Sequence, residues 1–185
     1  MMQIPDLASE RLILRPLRAS DAPALAQHCQ DFEISKYLAV VPHPYPKSAA
    51  NDWLEKQEKG VAGINMAITK DDILMGVVGI KASSERDLGI FAPTIGYWLA
   101  TAYWGKGFMQ EAVRRLLDWY LPHEPTEKMC AAAFEDNPRS LNLLRNLGFE
   151  EVKRDIGYSL ARGEKVPEII MELTSQRFSQ LGSAC

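Results

Sequence analysis

Residues 94–112 read T-I-G-Y-W-L-A-T-A-Y-W-G-K-G-F-M-Q-E-A. The first part is an apolar run typical of a buried strand, and the last part begins an amphipathic helix that continues to Tyr120. Between them, Gly105 and Gly107 permit backbone torsions that other residues avoid and leave the main chain open to a ligand. The unpaired N–H groups and the positive dipole end of the helix start favour a phosphate there. This segment is predicted to be an anion-binding turn, with the ammonium group of Lys106 at its edge.

Two common phosphate-binding motifs do not match this turn. The dinucleotide fingerprint requires a third glycine three residues after Gly107, where the chain has Gln110. The P-loop requires Gly-Lys followed by Ser or Thr, whereas Gly107 follows Lys106. A tight turn with no ligand is the alternative interpretation, and it is the more common one for an isolated pair of glycines. A second segment downstream favours the ligand.

That second segment is Asn137-Pro138-Arg139-Ser140, which begins a leucine-rich helix ending at Gly148-Phe149. Asn137 is a good N-cap, and Pro138 suits the first helical position. Gly148 suits the left-handed residue that stops a helix. These residues predict a short helix whether or not Asn137 also contacts a ligand.

Both segments, together with the opening residues 9–17, S-E-R-L-I-L-R-P-L, resemble the GNAT superfamily of acyl-CoA-dependent N-acetyltransferases. Gly107 matches the core glycine of the family's loop, whereas Trp104 and Met109 depart from its broad consensus. The loop Y-W-G-K-G followed by Glu-Ala, and Asn137-x-x-Ser140 ending in Leu-Gly-Phe, look like the branch related to ribosomal-protein N-terminal acetyltransferases. The resemblance covers nearly the whole chain.

The composition agrees with a single globular domain over residues 1–185, with a core at about 8–175. The chain has 185 residues, of which 46% are hydrophobic and 24% are charged, and its formal charge is −3. This acidic balance argues against a broad nucleic-acid-binding surface. We therefore expect no nucleic acid as partner.

Cysteines and histidines are few and scattered, which argues against a disulfide framework or a metal site. There is no signal peptide pattern and no apolar run long enough to span a bilayer, so we expect no membrane association and a cytoplasmic location. The residues concerned are Cys29, Cys130 and Cys185, and His28, His43 and His123.

Hydrophobic periodicity predicts the order β-α-α-β-β-β-α-β-α-β-β, an α/β fold with one mixed sheet of about seven strands and helices on both faces. The first helix is expected to have Ser20 as its N-cap, and the second, over 48–59, to have Trp53 as its main apolar anchor. The predicted strands after the first lie near 65–69, 75–81, 94–99, 129–134, 151–159 and 166–174. The proline-rich segment 40–46 is expected to be a functional loop.

The resemblance implies that acetyl-CoA, with no metal, lies where the central strands 94–99 and 129–134 splay apart. Backbone groups of Trp98 and Leu99 would pair with the pantetheine amides, and the glycine turn would hold the pyrophosphate. The implied cofactor-binding residues are Trp98, Leu99, Gly105, Lys106, Gly107, Phe108, Met109, Gln110, Asn137 and Ser140.

Direct acyl transfer needs a neutral amine, a donor for the developing oxyanion and a proton for the departing thiolate. The Leu99 N–H is the expected oxyanion donor. Leu144 stands where many GNAT enzymes have a tyrosine acid, so Ser140 is the remaining hydroxyl. Ser140 is either that acid or a support for the Asn137 cap, and the sequence leaves both open.

The remaining candidates concern the general base and the pocket for the acceptor amine. Glu33, Glu135 and Asp136 are candidate bases, but each also fits a solvated surface charge. The acceptor pocket is expected to include Glu33, Tyr37, Tyr45 and Tyr158.

The predicted function is an acetyl-CoA-dependent N-acetyltransferase that acts on a primary amine, either a protein N-terminus or a small molecule. A longer acyl donor and a non-catalytic acyl-CoA sensor remain alternatives. Family analogy also makes a homodimer plausible.

Overall fold

Segments of alternating or continuous apolar residues build one mixed sheet. The computed structural model describes residues 4–82, 92–124 and 126–182, and Cys185 lies outside them. Its strands are β1 (Leu7–Ala8), β2 (Ile13–Pro16), β3 (Ile64–Lys70), β4 (Ile73–Lys81), β5 (Thr94–Leu99), β6 (Lys128–Phe134), β7 (Glu150–Ser159) and β8 (Glu164–Thr174). They lie in the order β1-β2-β3-β4-β5-β6-β8-β7. The α/β prediction is confirmed, and the eighth strand is the two-residue β1, which is too short to show a periodicity.

Helices cover both faces of this sheet, as predicted. They are α1 (Ala22–Cys29), α2 (Phe32–Ser35), α3 (Ala49–Glu58), α4 (Phe108–His123), α5 (Pro138–Asn146) and α6 (Ser175–Gly182), with short 3-10 turns at Ala19–Asp21 and Thr101–Tyr103. Buried residues of α4 and α5 share one apolar core with Phe178 of α6. Buried residues of α1 and α3 form a second, smaller core on the opposite face. The sheet therefore separates two layers that can each hold a ligand.

Several local predictions need correction. Ser20 lies in a 3-10 turn, and Asp21 stands at the N-cap of α1 without a side-chain capping bond. Trp53 is only partly buried, because Ala50 and Leu54 are the α3 residues that face the core. Sequence reasoning also missed α2 and α6, since α2 is only one helical turn and α6 lies beyond the last recognised motif.

The centre of the sheet opens between β5 and β6. These strands run parallel, and of their described residues only Thr94 and Cys130 pair. The Cys130 N–H donates to the Pro93 carbonyl oxygen at 2.8 Å, just before β5 begins. Beyond that point the two strands separate toward their carboxyl ends, which confirms the predicted splay.

A buried ion pair ties β2 to the start of α1. Arg15 Nη1 and Nη2 donate to the two carboxylate oxygens of Asp21 at 2.9 and 2.8 Å, and both side chains are about 95% buried. Burial alone would raise the pKa of Asp21, but hydrogen bonds from Arg15 and from the Arg18 N–H outweigh it and lower that pKa below its ordinary value. The carboxylate therefore cannot also cap α1, which explains the missing capping bond.

Replacing this carboxylate should unfold the protein more easily. We expect Asp21→Ala to lower the free energy of unfolding by about 3 kcal/mol or more, because Arg15 keeps its buried charge without its main partner. Urea denaturation at pH 7 measures this, and Asp6→Ala at an exposed aspartate is the matched control.

The same pair predicts a pH dependence. A lowered folded pKa stabilises the protein above the unfolded value, about 3.9, and that stabilisation is lost as pH falls through the folded pKa. The difference between wild type and Asp21→Ala should shrink as pH is lowered from 5 to about 2. An equal difference at all pH values would contradict the assigned role.

Candidate active site

Two glycines shape the turn between β5 and α4. Gly105 has φ +72° and Gly107 has φ +76°, a region that side-chain-bearing residues rarely occupy. Gly107 is the N-cap of α4. A Cβ built on Gly105 would meet no heavy atom within 4 Å, and one on Gly107 would meet only Arg11 Nη2, at 3.4 Å. The space above this helix start is open, and it fits the phosphate cradle expected from the sequence.

An ion pair between Arg11 and Glu111, called the Arg11–Glu111 clamp, holds the turn. Glu111 accepts hydrogen bonds from the Arg11 N–H, from Arg11 Nε and from Ser9 Oγ at 2.7–2.8 Å. Arg11 Nη1 also donates to the Lys106 carbonyl oxygen at 3.0 Å. Burial would raise the pKa of Glu111, yet these hydrogen bonds lower it below its ordinary value. The opening residues of the chain thus hold the glycine turn in place.

Lys106 differs from its predicted position, and Met109 departs from the family consensus without filling the turn. The ammonium group of Lys106 donates to the Ala102 carbonyl oxygen at 2.9 Å, and Lys106 is absent from the described residues that line the adjoining cavity. The predicted charge at the edge of the cradle is therefore turned away. The bulky Met109 is 92% buried in the core, so its size does not obstruct the turn.

The register of β4 and β5 decides which backbone groups face the gap. The Ala100 N–H donates to the Met75 carbonyl oxygen at 2.8 Å, and Leu99 lies opposite Gly76. Since hydrogen-bonded pairs alternate along an antiparallel ladder, the backbone of Trp98 turns toward β4 and that of Leu99 toward β6. The structure corrects the backbone role predicted for Trp98. The Leu99 N–H points into the gap, as its predicted role requires.

The Leu99 carbonyl oxygen already has a partner. Trp104 Nε1 donates to it at 2.7 Å, and the guanidinium group of Arg139 stacks on the Trp104 ring at 4.4 Å from its centroid. This stack connects the glycine turn to the first turn of α5. The backbone of Leu99 therefore offers the gap a hydrogen-bond donor rather than an acceptor.

Two hydroxyl groups meet across the gap. Tyr97 Oη and Ser140 Oγ lie 2.9 Å apart, and either one can be the donor. Burial raises the pKa of Tyr97 to about 12, so its hydroxyl stays protonated at neutral pH. Asn137 accepts from the Ser140 N–H at 3.2 Å, which confirms it as the α5 N-cap. Leu144 is buried in the core, so no tyrosine projects from the usual position.

Every carboxylate proposed as a base from the sequence is held in an ion pair. Lys36 donates to both oxygens of Glu33 at 2.8 Å, and Arg154 donates to Glu135 at 2.6 Å. Arg162 binds Asp136 through two nitrogens at 2.7 and 3.1 Å. The three side chains are about half exposed, so each carboxylate lies in a surface ion pair rather than facing the gap between β5 and β6.

Arg162 also joins three loops at the mouth of the site. In addition to the bonds that its Nη atoms make to Asp136, Arg162 donates from Nε to the Lys36 carbonyl oxygen at 2.9 Å. Its guanidinium group lies over the Tyr37 ring. These contacts connect the turn between β7 and β8, the segment after α2 and the start of α5. Sequence reasoning had no signal for this, because the three loops are far apart in the chain.

Two cavities meet at β5. The first, about 520 Å³, lies on the α4–α5 side and is called the turn cavity. The second, about 720 Å³, lies beneath α1, α3 and the segment 38–45 and is called the α3 cavity. Residues shared by both linings are Leu38, Ile95, Gly96, Tyr97, Trp98 and Ala132. A Cβ on Gly96 would meet nothing within 4 Å, so the missing side chain keeps the junction open.

The predicted site residues divide between these cavities. Gly105, Gly107, Phe108, Met109, Gln110, Leu99, Asn137 and Ser140 line the turn cavity, together with Glu33 and Tyr37. Tyr45 lines the α3 cavity. Tyr158 lines neither, because it lies on the edge strand β7 with its side chain 48% exposed. The structure therefore does not support Tyr158 as an acceptor residue.

Sequence reasoning missed Tyr97, the Trp104–Arg139 stack and the Arg11–Glu111 clamp. Tyr97 had a signal, since it shares a strand face with Ile95 and Leu99 and so had to point to the α5 side. For the clamp, the signal was the presence of an arginine in the opening motif and a glutamate in the turn motif.

Two further findings concern metals and membranes. Within 4–82, 92–124 and 126–182, no three His, Cys, Asp or Glu side chains are grouped so that they could hold a metal ion. In the same ranges, no helix is both long and apolar enough to cross a membrane.

Comparison with known proteins identifies the family. A family model described as an acetyltransferase (GNAT) domain matches residues 11–150. The chain belongs to this family. The uncharacterized N-acetyltransferase p20 of Bacillus licheniformis is 26% identical over 178 residues, which cover 94% of this chain and 98% of that protein. The GNAT resemblance of the sequence is thereby confirmed, and the protein is an acetyltransferase.

Solved structures show the same fold. A putative acetyltransferase from T. thermophilus has a TM-score of 0.81 at 20% identity, with 100% of this chain and 97% of that chain covered. The ribosomal L7/L12 alpha-N-protein acetyltransferase RimL, solved with coenzyme A, has a TM-score of 0.75 at 18% identity, with 92% and 98% covered. Spermidine N-acetyltransferase from Vibrio cholerae, solved with CoA and spermine, has 0.74 at 18% identity, with 92% and 99% covered.

The cradle yields a direct prediction. Gly107→Glu should abolish measurable CoA binding, because the new side chain enters the open space and brings a negative charge toward the pyrophosphate. A non-glycine residue at positive φ also strains the backbone by about 1 kcal/mol. Isothermal titration calorimetry with CoA measures the effect.

Gly60→Glu separates strain from position. Gly60 has φ +69°, similar to that of Gly107, but lies just after α3. This variant should lose similar stability and bind CoA like wild type. Unchanged CoA affinity in Gly107→Glu would remove the turn from the cofactor site.

Proposed function

We propose that the protein transfers the acetyl group of acetyl-CoA directly to a primary amine while both substrates are bound. The observation that carries the proposal is the pair of cavities that meet at Gly96, Tyr97 and Trp98. The turn cavity has the phosphate cradle at one end, and the α3 cavity reaches the same strand from the other face of the sheet. Direct transfer requires this arrangement, because the amine must reach the thioester without displacing CoA.

The turn cavity would hold the acetyl-CoA arm. The N–H groups at the start of α4 would bind the pyrophosphate, and Asn137 would pair with the pantetheine arm. The co-substrate supplies an acetyl thioester with an electrophilic carbonyl carbon. The open space above Gly105 and Gly107 supports this fit, since a side chain there would fill it.

The Leu99 N–H would stabilise the oxyanion that develops on the carbonyl oxygen. It points into the gap from a strand whose position β4 fixes, so little reorganisation is needed during the reaction. Trp104 Nε1 donates to the Leu99 carbonyl oxygen. This acceptor is therefore already occupied when a substrate enters the gap. The role of Leu99 therefore depends on backbone geometry rather than on its side chain.

Ser140 would donate to the sulfur as the thiolate leaves, and Tyr97 would orient it. A phenol is a stronger acid than an aliphatic alcohol, so the Tyr97 hydroxyl would donate to Ser140 Oγ and leave the Ser140 proton free for the sulfur. The raised pKa keeps Tyr97 protonated for this task. The pair would supply the hydroxyl that Leu144 cannot.

The amine would lose its proton to solvent, because the three candidate carboxylates are ion-paired. The acceptor class is not decided by the fold, since one neighbour acts on a ribosomal protein and another on spermidine.

The free buried thiols of Cys29 and Cys130 support our proposal of a cytoplasmic enzyme, since reducing compartments keep thiols free.

Thiol release from acetyl-CoA in the presence of a panel of primary amines tests the proposed function. We expect turnover with at least one amine, and we expect Gly96→Val to lower kcat/KM for that amine by ~10-fold or more, because the side chain narrows the junction. CoA affinity and melting temperature should stay close to wild type. Tight CoA binding with no turnover on any amine would instead support a sensor.

Variants of the two hydroxyls test the proton donor. Ser140→Ala should lower kcat by about 10-fold with little change in the KM for acetyl-CoA, as for an interaction made in the transition state. Tyr97→Phe should lower kcat by a smaller factor, about 3-fold, because it removes the orienting bond only. The double variant should resemble Ser140→Ala, since coupled residues are not additive.

Tyr103→Phe is the matched control, because Tyr103 lines the same cavity without contacting Ser140. It should have wild-type kcat. A Ser140→Ala rate within twofold of wild type would show that solvent protonates the sulfur.

A further inference from the structure

The α3 cavity has an apolar interior and a charged rim. Among its described lining residues, the apolar side chains of Leu25, Cys29, Val77, Ala92 and Ile95 are each at least 95% buried. Its described charged lining residues are one acid, Asp52, and two lysines, Lys56 and Lys81, and all three are exposed. A ligand that enters this cavity leaves the charges behind at the rim.

Two residues of the lining also show the effect of burial on charge. Burial raises the pKa of the Cys29 thiol to about 12. Burial, with smaller effects from Cys29 and Asp52, raises that of Tyr45 to about 12. Both residues line the cavity, and both show that a charged group inside it is disfavoured. The carboxylate among the described lining residues is Asp52, which lies at the exposed rim, so a second ammonium group buried in the interior would lack an opposite charge and burying it is costly.

The β4 wall of the cavity offers no free backbone to a peptide. Val77 and Gly79 of β4 form this wall, and both pair with β3 on one side and β5 on the other. Asn65 is the described amide side chain of the lining, and its Nδ2 already donates to the Ala62 carbonyl oxygen at 2.8 Å. A polypeptide acceptor cannot add to β4 as a further strand, and the CoA arm would occupy the gap between β5 and β6.

We propose that the acceptor is a small primary amine with an apolar body and no second positive charge, bound in the α3 cavity. This inference rests on the proposed N-acetyltransferase function and names its acceptor class. The amine reaches the junction at Gly96, and its apolar body lies against Leu25, Val77 and Trp53. A volume of about 720 Å³ is within the range of pockets that enclose small ligands.

A series of amines tests the apolar interior. The kcat/KM for thiol release should rise by ~3- to 4-fold per added methylene from butylamine to octylamine, as each group leaves water. Octane-1,8-diamine has the same chain with a second ammonium group, and it should react at least ~10-fold less efficiently than octylamine. Spermidine and a peptide with an N-terminal alanine should likewise be poor acceptors.

Two valine variants test the location. Val40 lines the α3 cavity, whereas Val61 does not, and both side chains are at least 72% exposed, so neither substitution should unfold the protein. Val40→Asn should lower the octylamine kcat/KM by about 5-fold through lost apolar contact. Val61→Asn should have no effect. Both variants should keep the wild-type KM for acetyl-CoA.

The outcomes separate this inference from the proposed function. Preferred turnover of the diamine, spermidine or the peptide would overturn the acceptor class while leaving N-acetylation intact. No turnover with any amine would refute the proposed function. In that case, octylamine binding to the CoA-bound protein can be measured through the fluorescence of Trp53 and Trp98, which line the cavity. Binding would still support the apolar pocket. No binding would overturn it.

Discussion

The separation of β5 from β6 is the constraint on which the rest of the structure depends. A parallel pair that closed along its whole length would hydrogen-bond the Tyr97 and Leu99 backbones and leave no path through the sheet. Because the described residues of the two strands pair only at Thr94 and Cys130, those groups do not bond to β6 and the two faces connect. Open backbone groups are costly when buried. Trp104 satisfies one of them from within the chain, and a pantetheine arm is suited to satisfy others.

The gap between β5 and β6 is held by polar contacts on both sides. On one side, Arg11 and Glu111 fix the glycine turn to the first strands of the chain. On the other, Arg162 holds the start of α5 against the segment after α2. Both ties use an arginine whose several donors bind a carboxylate and a carbonyl together, a geometry that lysine does not reproduce. The positions of Leu99 and Ser140 are therefore set by residues distant in the chain.

The sequence predicts best what is local. The strand, glycine turn and helix over 94–120, the Asn137 cap and the strands around the splay all follow from periodicity, capping and family pattern. Contacts between distant segments do not, because nothing in a periodic pattern links Arg162 to Lys36 or Tyr97 to Ser140. The same limit explains the errors at Trp98 and Lys106. The first depended on strand register, and the second on a neighbouring carbonyl that accepts its ammonium group.

The chemistry of the site follows from where its charges are. Glu33, Glu135 and Asp136 each form an ion pair with a basic side chain at the surface, and burial raises the pKa of Tyr97 to about 12. What faces the junction is therefore a set of uncharged donors, the Leu99 N–H and the two hydroxyls. Such a site stabilises charge that develops during the reaction without presenting charge beforehand. An apolar acceptor pocket is consistent with this lack of charged groups, since the charge that it has to accommodate is that of the reacting amine.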